Sequence, residues 1–150
     1  AYHITASDPE GTGSRNAMQQ ALNEASISLE QVDYINTHGT STPIGDVAEV
    51  KAIQDLFGKH AYNISLTSSK SMMGHLLGGS GAVEAIISLL SMQHSMVTPT
   101  INHVEGDEDP KIDYKLNFTF NQAQSRDIRY AMSNNFGFGG QNACLLFKKL

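Results

Sequence analysis

The first feature of the sequence that could do chemistry is a histidine beside a run of hydroxyl residues. Residues 36–43 read Asn-Thr-His-Gly-Thr-Ser-Thr-Pro, so that His38 precedes one glycine and then Thr40, Ser41 and Thr42. An imidazole flanked by hydroxyls can donate hydrogen bonds to a substrate oxygen. Turns and helix caps use the same residue types, so this loop taken alone leaves both interpretations open.

A second polar loop carries a lysine and a histidine, and it precedes an apolar helix that contains a carboxylate. Lys70 and His75 lie in the run Ser-Ser-Lys-Ser-Met-Met-Gly-His, and Glu84 follows in the helix. A carboxylate in an apolar helix is costly unless it is paired, so Lys70 is its expected partner. The pair would support His75; a solvated lysine beside a helix-capping loop is the competing interpretation.

The third loop is rich in glycine and surrounds an aromatic residue. Residues 134–142 read Asn-Asn-Phe-Gly-Phe-Gly-Gly-Gln-Asn, with Phe138 between glycines. Glycines leave backbone N–H groups accessible and let a ring swing, which suits an oxyanion donor combined with a gate. A hairpin turn with a core aromatic is the commoner use of such a run on its own.

Two other kinds of site are disfavoured. The glycines around Ser80 match neither the GxxxxGK[ST] phosphate loop nor a dinucleotide fingerprint, and close packing of a helix explains them better. The histidines have no metal-ligand spacing, so a zinc site is not expected. Cys144 is the only cysteine, which excludes an internal disulfide and CxxC metal motifs.

Alternating helices and strands must position these loops. Each polar loop follows a predicted strand, and the pattern predicts an α/β domain with a mixed sheet. The helix over 79–94 is apolar on most sides and is expected to be buried, and the segment 98–113 is expected to be a loop. The other predicted elements are a helix carrying Ala17, Leu22, Ala25 and Ile27, a strand at 32–35, a helix between Pro43 and Gly58, a strand at 64–67, and strands at 129–134 and 143–148 joined by a turn at 136–140.

Composition sets the broad class of the protein. The 150 residues, 40% hydrophobic and 17% charged, suit one globular domain over residues 1–150. The net charge of −5 argues against a nucleic-acid binder. No apolar run is long enough for a membrane helix, and the first residues lack the features of a signal peptide. A soluble cytoplasmic protein without nucleic-acid or membrane partners is therefore expected.

Three such loops in this order are far more specific than any one of them. The runs NTHGTSTPIGDVAE, SSKSMMGHLLGGSGAVEA and NNFGFGGQNACLLFKK resemble the C-terminal half of β-ketoacyl-acyl-carrier-protein synthases, in the type II branch of bacterial fatty-acid synthesis. The resemblance extends over residues 2–150. It implies a thiolase-like fold, an αβαβα layered sandwich of two similar halves, of which this chain would be the second, without the half that bears the nucleophile.

The resemblance also implies roles for particular residues. His38 and His75 would be the catalytic histidines that hold the thioester oxygen of malonyl carrier protein while carbon dioxide leaves, with Lys70 as the catalytic lysine beside them. Two imidazole N–H donors suit this step because the enolate charge develops only along the reaction coordinate. The other implied roles are Glu84 as the partner of Lys70, Thr40 and Thr42 as hydroxyls that receive the pantetheine arm, Phe138 as the gate whose backbone N–H joins the oxyanion hole, and Asp46 as a structural acidic residue.

The sequence departs from the family pattern at three positions in these loops. Thr37 stands where alanine is more common, Asn135 where serine is common, and Gln141 where threonine is common. All three changes are expected to be tolerated. The nucleophilic cysteine of the family belongs to the other half, where a helix start favours its thiolate. Cys144 lies in an apolar strand and is interpreted as a core residue.

The implied activity of the parent enzyme is a decarboxylative Claisen condensation, an acyltransferase reaction of fatty-acid elongation, and this chain by itself is expected to be inactive. No tightly bound cofactor or metal is implied, since the substrates are phosphopantetheine thioesters on acyl carrier protein. The implied partners are that carrier protein, the N-terminal half and a second copy in a homodimer. Three alternatives stay open: a non-catalytic partner akin to chain-length factors, an unrelated glycine-rich binding module, and a polyketide ketosynthase, although Ser41 favours fatty-acid synthesis.

Overall fold

The computed structural model describes residues 2–150, and its α-helices lie where apolar spacing predicts them, with one short addition. The predicted first helix ends at Ala25, so that Ile27 lies beyond it. Gly58, expected just past the second helix, has a left-handed φ of 53° that stops it there. A short helix directly after the second central strand was not predicted. The α-helices are α1 (Thr12–Ala25), α2 (Gly45–Phe57), α3 (Lys70–Met73) and α4 (Ser80–His94). Short 3₁₀ helices, also not predicted, lie at Leu29–Gln31, Gly58–Asn63, Leu77–Gly79 and Phe138–Gly140.

The strands differ more from the prediction than the helices do. The two strands that close the chain are longer than predicted, and three two-residue strands were missed because two residues are too few to show a period. The strands are β1 (Tyr34–Asn36), β2 (Ser65–Thr67), β3 (Met96–Val97), β4 (Asn117–Phe118), β5 (Gln124–Ser125), β6 (Tyr130–Gly137) and β7 (Gln141–Lys148).

A five-stranded sheet in the order β4-β2-β1-β6-β7 forms the centre of the fold, and the prediction of a mixed sheet is confirmed. Strands β4, β2, β1 and β6 are parallel, while β7 returns antiparallel to β6 through the glycine-rich turn. Ile35 of β1 pairs with Leu66 of β2 on one side and with Met132 of β6 on the other. The carboxyl ends of β1 and β2, and the far end of β6, therefore meet at one edge of the sheet.

Each face of the sheet has its own core. On one face, side chains of α1 and α2 such as Met18 and Ile53 pack against Ile35, Leu66 and Met132. On the opposite face, Met92 from α4 and Val97 pack with Tyr34 and Ala131, because neighbouring residues of a strand point to opposite faces. None of the helices described over residues 2–150 is both long and apolar enough to cross a membrane.

The expectation that the helix over 79–94 is buried all round is wrong. Its outward face exposes Ile86, Leu89 and Leu90, with exposed fractions of 56%, 47% and 47%. The face turned toward the sheet carries a buried polar stripe that includes Glu84 and Ser88. The average apolarity of the sequence could not predict which face of the helix turns toward the sheet. The Glu84 carboxylate needs the partners that lie on the sheet side, and this requirement fixes the rotation of the helix.

Candidate active site

The parallel arrangement of β1 and β2 brings the first two polar loops together. The His38 and His75 rings lie edge to face, with centroids 5.5 Å apart and ring planes at 85°. Phe136, near the end of β6 on the other side of β1, lies 5.6 Å from the His38 ring. The three loops singled out in the sequence thus converge at one edge of the sheet.

The backbone of the first loop is held by a buried carboxylate that the sequence reasoning missed. Both oxygens of Glu49, on α2, accept backbone N–H groups, from His38 at 2.9 Å and from Gly39 at 2.9 Å. The Asn134 amide donates to the same carboxylate at 3.1 Å. Burial raises the pKa of Glu49, and the bonds from Gly39 and His38 act in the opposite direction. A carboxylate on the apolar face of α2 was the signal that could have revealed it.

Gly39 lets the first and second loops touch. Its φ is 33°, and a Cβ there would lie 2.7 Å from Cβ of Ser68. The Ser68 hydroxyl donates to the Gly39 carbonyl at 2.7 Å. Only glycine allows both this backbone conformation and this approach, so the position of His38 depends on its neighbour in the chain.

His38 is held in its neutral form. Burial lowers its pKa to about 4, and the nearby charges of Lys70 and then His75 act in the same direction. Its Nδ1 atom is buried and has no hydrogen-bond partner among residues 2–150. At neutral pH the ring therefore offers an uncharged imidazole to the site.

The second histidine is fixed through its Nδ1 atom. The backbone N–H of Leu77 donates to His75 Nδ1 at 3.1 Å, and Ser80 Oγ lies 3.0 Å from the same atom. The Ser80 hydroxyl also accepts the Leu76 N–H at 2.9 Å, which leaves its own proton for the imidazole. Since Nδ1 must act as an acceptor, the proton of the neutral ring lies on Nε2. The Nε2–H of His75, across the ring from these contacts, is thereby a hydrogen-bond donor.

The ion pair predicted between Lys70 and Glu84 is present. Lys70 Nζ lies 2.5 Å from Glu84 Oε1, and the two side chains are 4% and 0% exposed. The second oxygen of Glu84 accepts the Asn135 amide at 2.8 Å. Asn135 was noted in the sequence as a departure from the family pattern, but its contact with the carboxylate was not foreseen. The carboxylate is satisfied on both oxygens, as a buried charge requires.

The hydroxyls and the acidic residue of the first loop lie nearer the surface. Thr40 Oγ1 and Thr42 Oγ1 are 3.2 Å apart at an exposed position. Asp46, in the first turn of α2, accepts the Ser41 N–H at 3.1 Å, and burial raises its pKa. This geometry suits the structural role expected of Asp46. The role of the two threonines in holding a pantetheine arm stays a prediction.

The aromatic residue singled out as a gate lies at the tip of the turn between β6 and β7. Phe138 is 78% exposed, and Gly139 beside it has a φ of 79°. The ring in contact with His38 belongs instead to Phe136, which the sequence reasoning did not single out. The glycines that flank Phe138 let this tip rotate, so its gating role stays a prediction.

A cavity of about 530 Å³ extends from the site. Its lining includes the polar residues Lys70, His75 and Thr40 and the aromatic residues Tyr114, Phe118 and Phe120. A few polar groups among apolar rings are typical of pockets that orient a small molecule by a few polar contacts.

The single cysteine is not an activated nucleophile. Cys144 is half-buried on β7 and packs against the core on the α1 and α2 side of the sheet. Burial and the charge of Glu49 raise the pKa of its thiol to about 12. The thiol is protonated at neutral pH, in agreement with its interpretation as a core residue.

Comparison with known proteins identifies the family. Residues 1–104 match the family model described as the C-terminal domain of beta-ketoacyl synthase. The chain belongs to the β-ketoacyl synthase family. It is 54% identical over 149 residues to a 3-oxoacyl-[acyl-carrier-protein] synthase 2 of Staphylococcus aureus (strain COL), covering 99% of this chain and 35% of the relative.

Solved structures of β-ketoacyl synthases have the same thiolase-like fold. A type II polyketide ketosynthase in complex with its acyl-carrier protein has a TM-score of 0.94 and 33% identity, covering 100% of this chain and 36% of its own. The ishigamide ketosynthase/chain length factor has a TM-score of 0.89 and 34% identity, covering 99% and 35%. The chain thus spans about a third of the length of each relative.

Proposed function

We propose that this chain is the decarboxylating part of a 3-oxoacyl-acyl-carrier-protein synthase, which condenses acyl groups with malonyl carrier protein in fatty-acid elongation. The observation that carries the proposal is the edge-to-face pair of His38 and His75, 5.5 Å apart at the joint end of two parallel strands. The Nε2 proton of His75 is fixed by its Nδ1 contacts, and His38 is neutral. Two imidazoles side by side, each able to donate an N–H, suit one developing oxyanion.

The proposed chemistry begins with loss of carbon dioxide from the malonyl thioester. The electron pair of the breaking carbon–carbon bond moves to the α-carbon and is shared with the thioester oxygen as an enolate. The imidazole N–H groups of His38 and His75 donate to that oxygen more strongly as its charge grows, which lowers the barrier. The α-carbon then attacks an acyl thioester on a cysteine outside this chain, forms the new carbon–carbon bond and releases the thiolate.

Lys70 has an electrostatic part in this proposal. Its ammonium is buried beside the histidines and is neutralised by Glu84 at 2.5 Å. Its charge contributes to the lowered pKa of His38, so that this ring does not take up a second proton and stays neutral. The predicted catalytic set of two histidines and one lysine is therefore compatible with the geometry.

The partners of the proposed enzyme follow from its substrates. The acyl and malonyl groups would arrive as phosphopantetheine thioesters on acyl carrier protein. Thr40 and Thr42, whose hydroxyls lie together at an exposed position, would receive the pantetheine arm. No further tightly bound cofactor is needed for this chemistry. We propose that the whole enzyme works in the cytoplasm as a homodimer, with the nucleophilic cysteine on the segment that precedes this part.

Two alternative functions are distinguished by particular observations. A polyketide ketosynthase is less favoured, because identity to the fatty-acid synthase of S. aureus is 54% and identity to the type II polyketide ketosynthase is 33%. A non-catalytic partner of the chain-length-factor kind is disfavoured because it would have no need of His38, His75 and the buried Lys70 pair together. The first proposal therefore remains the better supported.

The test is release of carbon dioxide from malonyl carrier protein, by this chain alone and mixed with a separately made segment that carries the nucleophile. We expect release in the mixture and a loss of about 100-fold or more with His75→Ala, as for removal of one oxyanion donor. The exposed His94 on α4 provides the matched control, and His94→Ala should keep full activity. No release from a mixture shown to have assembled would overturn the proposal.

A further inference from the structure

Two successive asparagines on β6 contact the two buried carboxylates of the site. Asn134 Nδ2 donates to Glu49 Oε1 at 3.1 Å, and Asn135 Nδ2 donates to Glu84 Oε2 at 2.8 Å. Neighbouring side chains of a strand point to opposite faces of the sheet, so one dipeptide reaches a helix on each face. Glu49 lies on α2 and Glu84 on α4.

Each carboxylate in turn holds one of the histidine loops. Glu49 accepts the backbone N–H groups of His38 and Gly39, which shapes the first loop. Glu84 binds the ammonium of Lys70, a residue of the second loop. Each of the two asparagines on β6 is therefore linked to one histidine loop through a single carboxylate.

Both hydrogen bonds from the asparagine amides lie where water cannot supply a substitute donor. Asn134 is completely buried, and Glu49 and Glu84 are 3% and 0% exposed. A buried carboxylate that loses one hydrogen bond moves toward another donor or takes up a proton, and either response displaces the group on its other oxygen. A serine at position 135 would be one bond shorter than asparagine, so its hydroxyl would lie farther from Glu84 than the Asn135 amide does.

We propose that Asn134 and Asn135 are positioning residues, and that strand β6 uses them to fix the first and the second histidine loop separately, through Glu49 and Glu84. The function of the site in decarboxylation rests on the proposal made above; the positioning itself does not. Neither asparagine touches the reacting atoms, and each acts through the carboxylate that it binds.

The test is to remove each amide in turn and to follow both loops by NMR in the 150-residue chain. Asn135→Ala should shift the Glu84 carboxyl carbon and the Lys70 Nζ signal, and should leave the Gly39 amide signal in place. Asn134→Ala should do the reverse, shifting the Glu49 carboxyl carbon and the Gly39 amide. This crossed pattern separates positioning from a general loss of stability, which would alter both loops in both variants.

Milder and matched variants complete the test. Asn135→Ser keeps a small polar side chain and should produce the same Glu84 and Lys70 shifts if Asn135→Ala does not fold. Asn142→Ala removes an amide from the neighbouring strand, where it faces Gly13 of α1, and should shift neither carboxylate. Unchanged Glu84 and Lys70 signals in Asn135→Ser, or equal changes of both loops in every variant, would overturn the inference.

Decarboxylation gives an independent readout. In the mixture with the nucleophile-bearing segment, Asn135→Ala should lower kcat by on the order of 10- to 100-fold with little change in KM, because a displaced catalytic group costs rate rather than binding. A wild-type mixture that releases no carbon dioxide would overturn the proposed function and leave the NMR test of positioning intact. A crossed NMR pattern with a normal kcat would overturn the catalytic importance of the second loop's position.

Discussion

The two histidine loops differ in what their buried carboxylate holds. In the first loop, Glu49 binds the backbone itself, with one oxygen on the N–H of His38 and the other on the N–H of Gly39. The loop conformation and the histidine position are therefore set by the same contact. The imidazole of His38 is left free of hydrogen bonds at Nδ1 within residues 2–150.

In the second loop the carboxylate holds a side chain, and the histidine is fixed elsewhere. Glu84 binds the Lys70 ammonium, while His75 is oriented by Ser80 and by the N–H of Leu77 at Nδ1. The Lys70 ammonium and the His75 N–H donor of this loop are thus held by separate contacts. The tautomer of His75 is imposed by hydrogen bonds, whereas the neutrality of His38 is imposed by burial and nearby positive charge.

The two carboxylates should therefore respond differently to the same substitution. A neutral amide in place of Glu49 removes one acceptor from a backbone N–H. A neutral amide in place of Glu84 leaves a buried ammonium without its counter-charge, which costs more free energy than an unmade hydrogen bond.

The largest effect is therefore expected at the second loop. Glu84→Gln should lower the free energy of unfolding by about 3–5 kcal/mol, since breaking a buried ion pair strands the remaining charge. Urea unfolding of the 150-residue chain measures this. A loss below about 1 kcal/mol would show that Lys70 finds another partner and would remove the contrast between the loops.

Removing both charges provides the control for that result. The double variant Lys70→Met, Glu84→Leu should recover most of the stability lost in Glu84→Gln, because well-packed apolar residues can replace a buried ion pair at little cost. The same double variant should lack decarboxylation in the mixture. Recovered stability together with retained activity would show that the ion pair is not needed for the chemistry.

A smaller effect is expected at the first loop. Glu49→Gln should lower the free energy of unfolding by about 1–3 kcal/mol, because one buried backbone N–H then faces an amide NH₂ instead of an oxygen. Hydrogen exchange at the amides of His38 and Gly39 should become faster, while the Lys70 signals stay unchanged. A loss as large as that of Glu84→Gln would contradict the comparison.

Comparing these loops also separates what the sequence could predict from what it could not. The sequence could single out His38, His75 and Lys70 as candidates because their residue types and order are specific, and the ion pair with Glu84 followed from the cost of an unpaired carboxylate in an apolar helix. Glu49 obeys the same rule, but its backbone partners lie 10 and 11 residues away and carry no side-chain signal.

Orientation was harder to predict than the elements themselves. The helix α4 was placed correctly, but its outward face exposes Ile86 and Leu89, since the burial of Glu84 decides the rotation. Asn135 was noted only as a departure from the family, because a contact across the sheet depends on the register of β6. The approach of Phe136 to His38 was not predicted, since spacing does not say which ring near the turn faces His38.

The charge state of the first histidine gives a pH-dependent effect. The pKa of His38 is lowered to about 4 in the folded chain, against about 6.5 when unfolded. Between these values the unfolded chain binds a proton that the folded chain does not, so this contribution to stability is complete above about pH 6.5 and is lost as pH falls toward 4.

The measurement is urea unfolding of wild type and His38→Gln across this pH range. The wild type should lose stability relative to the variant from pH 6.5 down to about 4, and the difference should be constant above that window. Burial raises the pKa values of Glu49 and Asp46, which favours the folded state on acidification in both proteins. A difference curve without slope, or a measured His38 pKa near 6.5, would contradict the account.

The smallest effect is expected at Cys144, whose thiol forms no hydrogen bond with either histidine loop. Cys144→Ala should change the free energy of unfolding by no more than about 1 kcal/mol and leave decarboxylation unchanged. Because the pKa of the thiol is about 12, alkylation of the folded chain at pH 8 should be far slower than that of the unfolded chain. Fast alkylation of the folded chain would show that the thiol is activated.

If the two loops, although held by different means, present both imidazoles to one oxygen, the two rings should respond to a substrate analogue together. The measurement is ¹⁵N NMR of both rings, during titration of the assembled mixture with a malonyl-pantetheine analogue in which a sulfonate replaces the carboxylate. We expect the ring nitrogen signals of His38 and His75 to shift together along one binding curve. A shift of only one ring, or separate curves for the two, would contradict it.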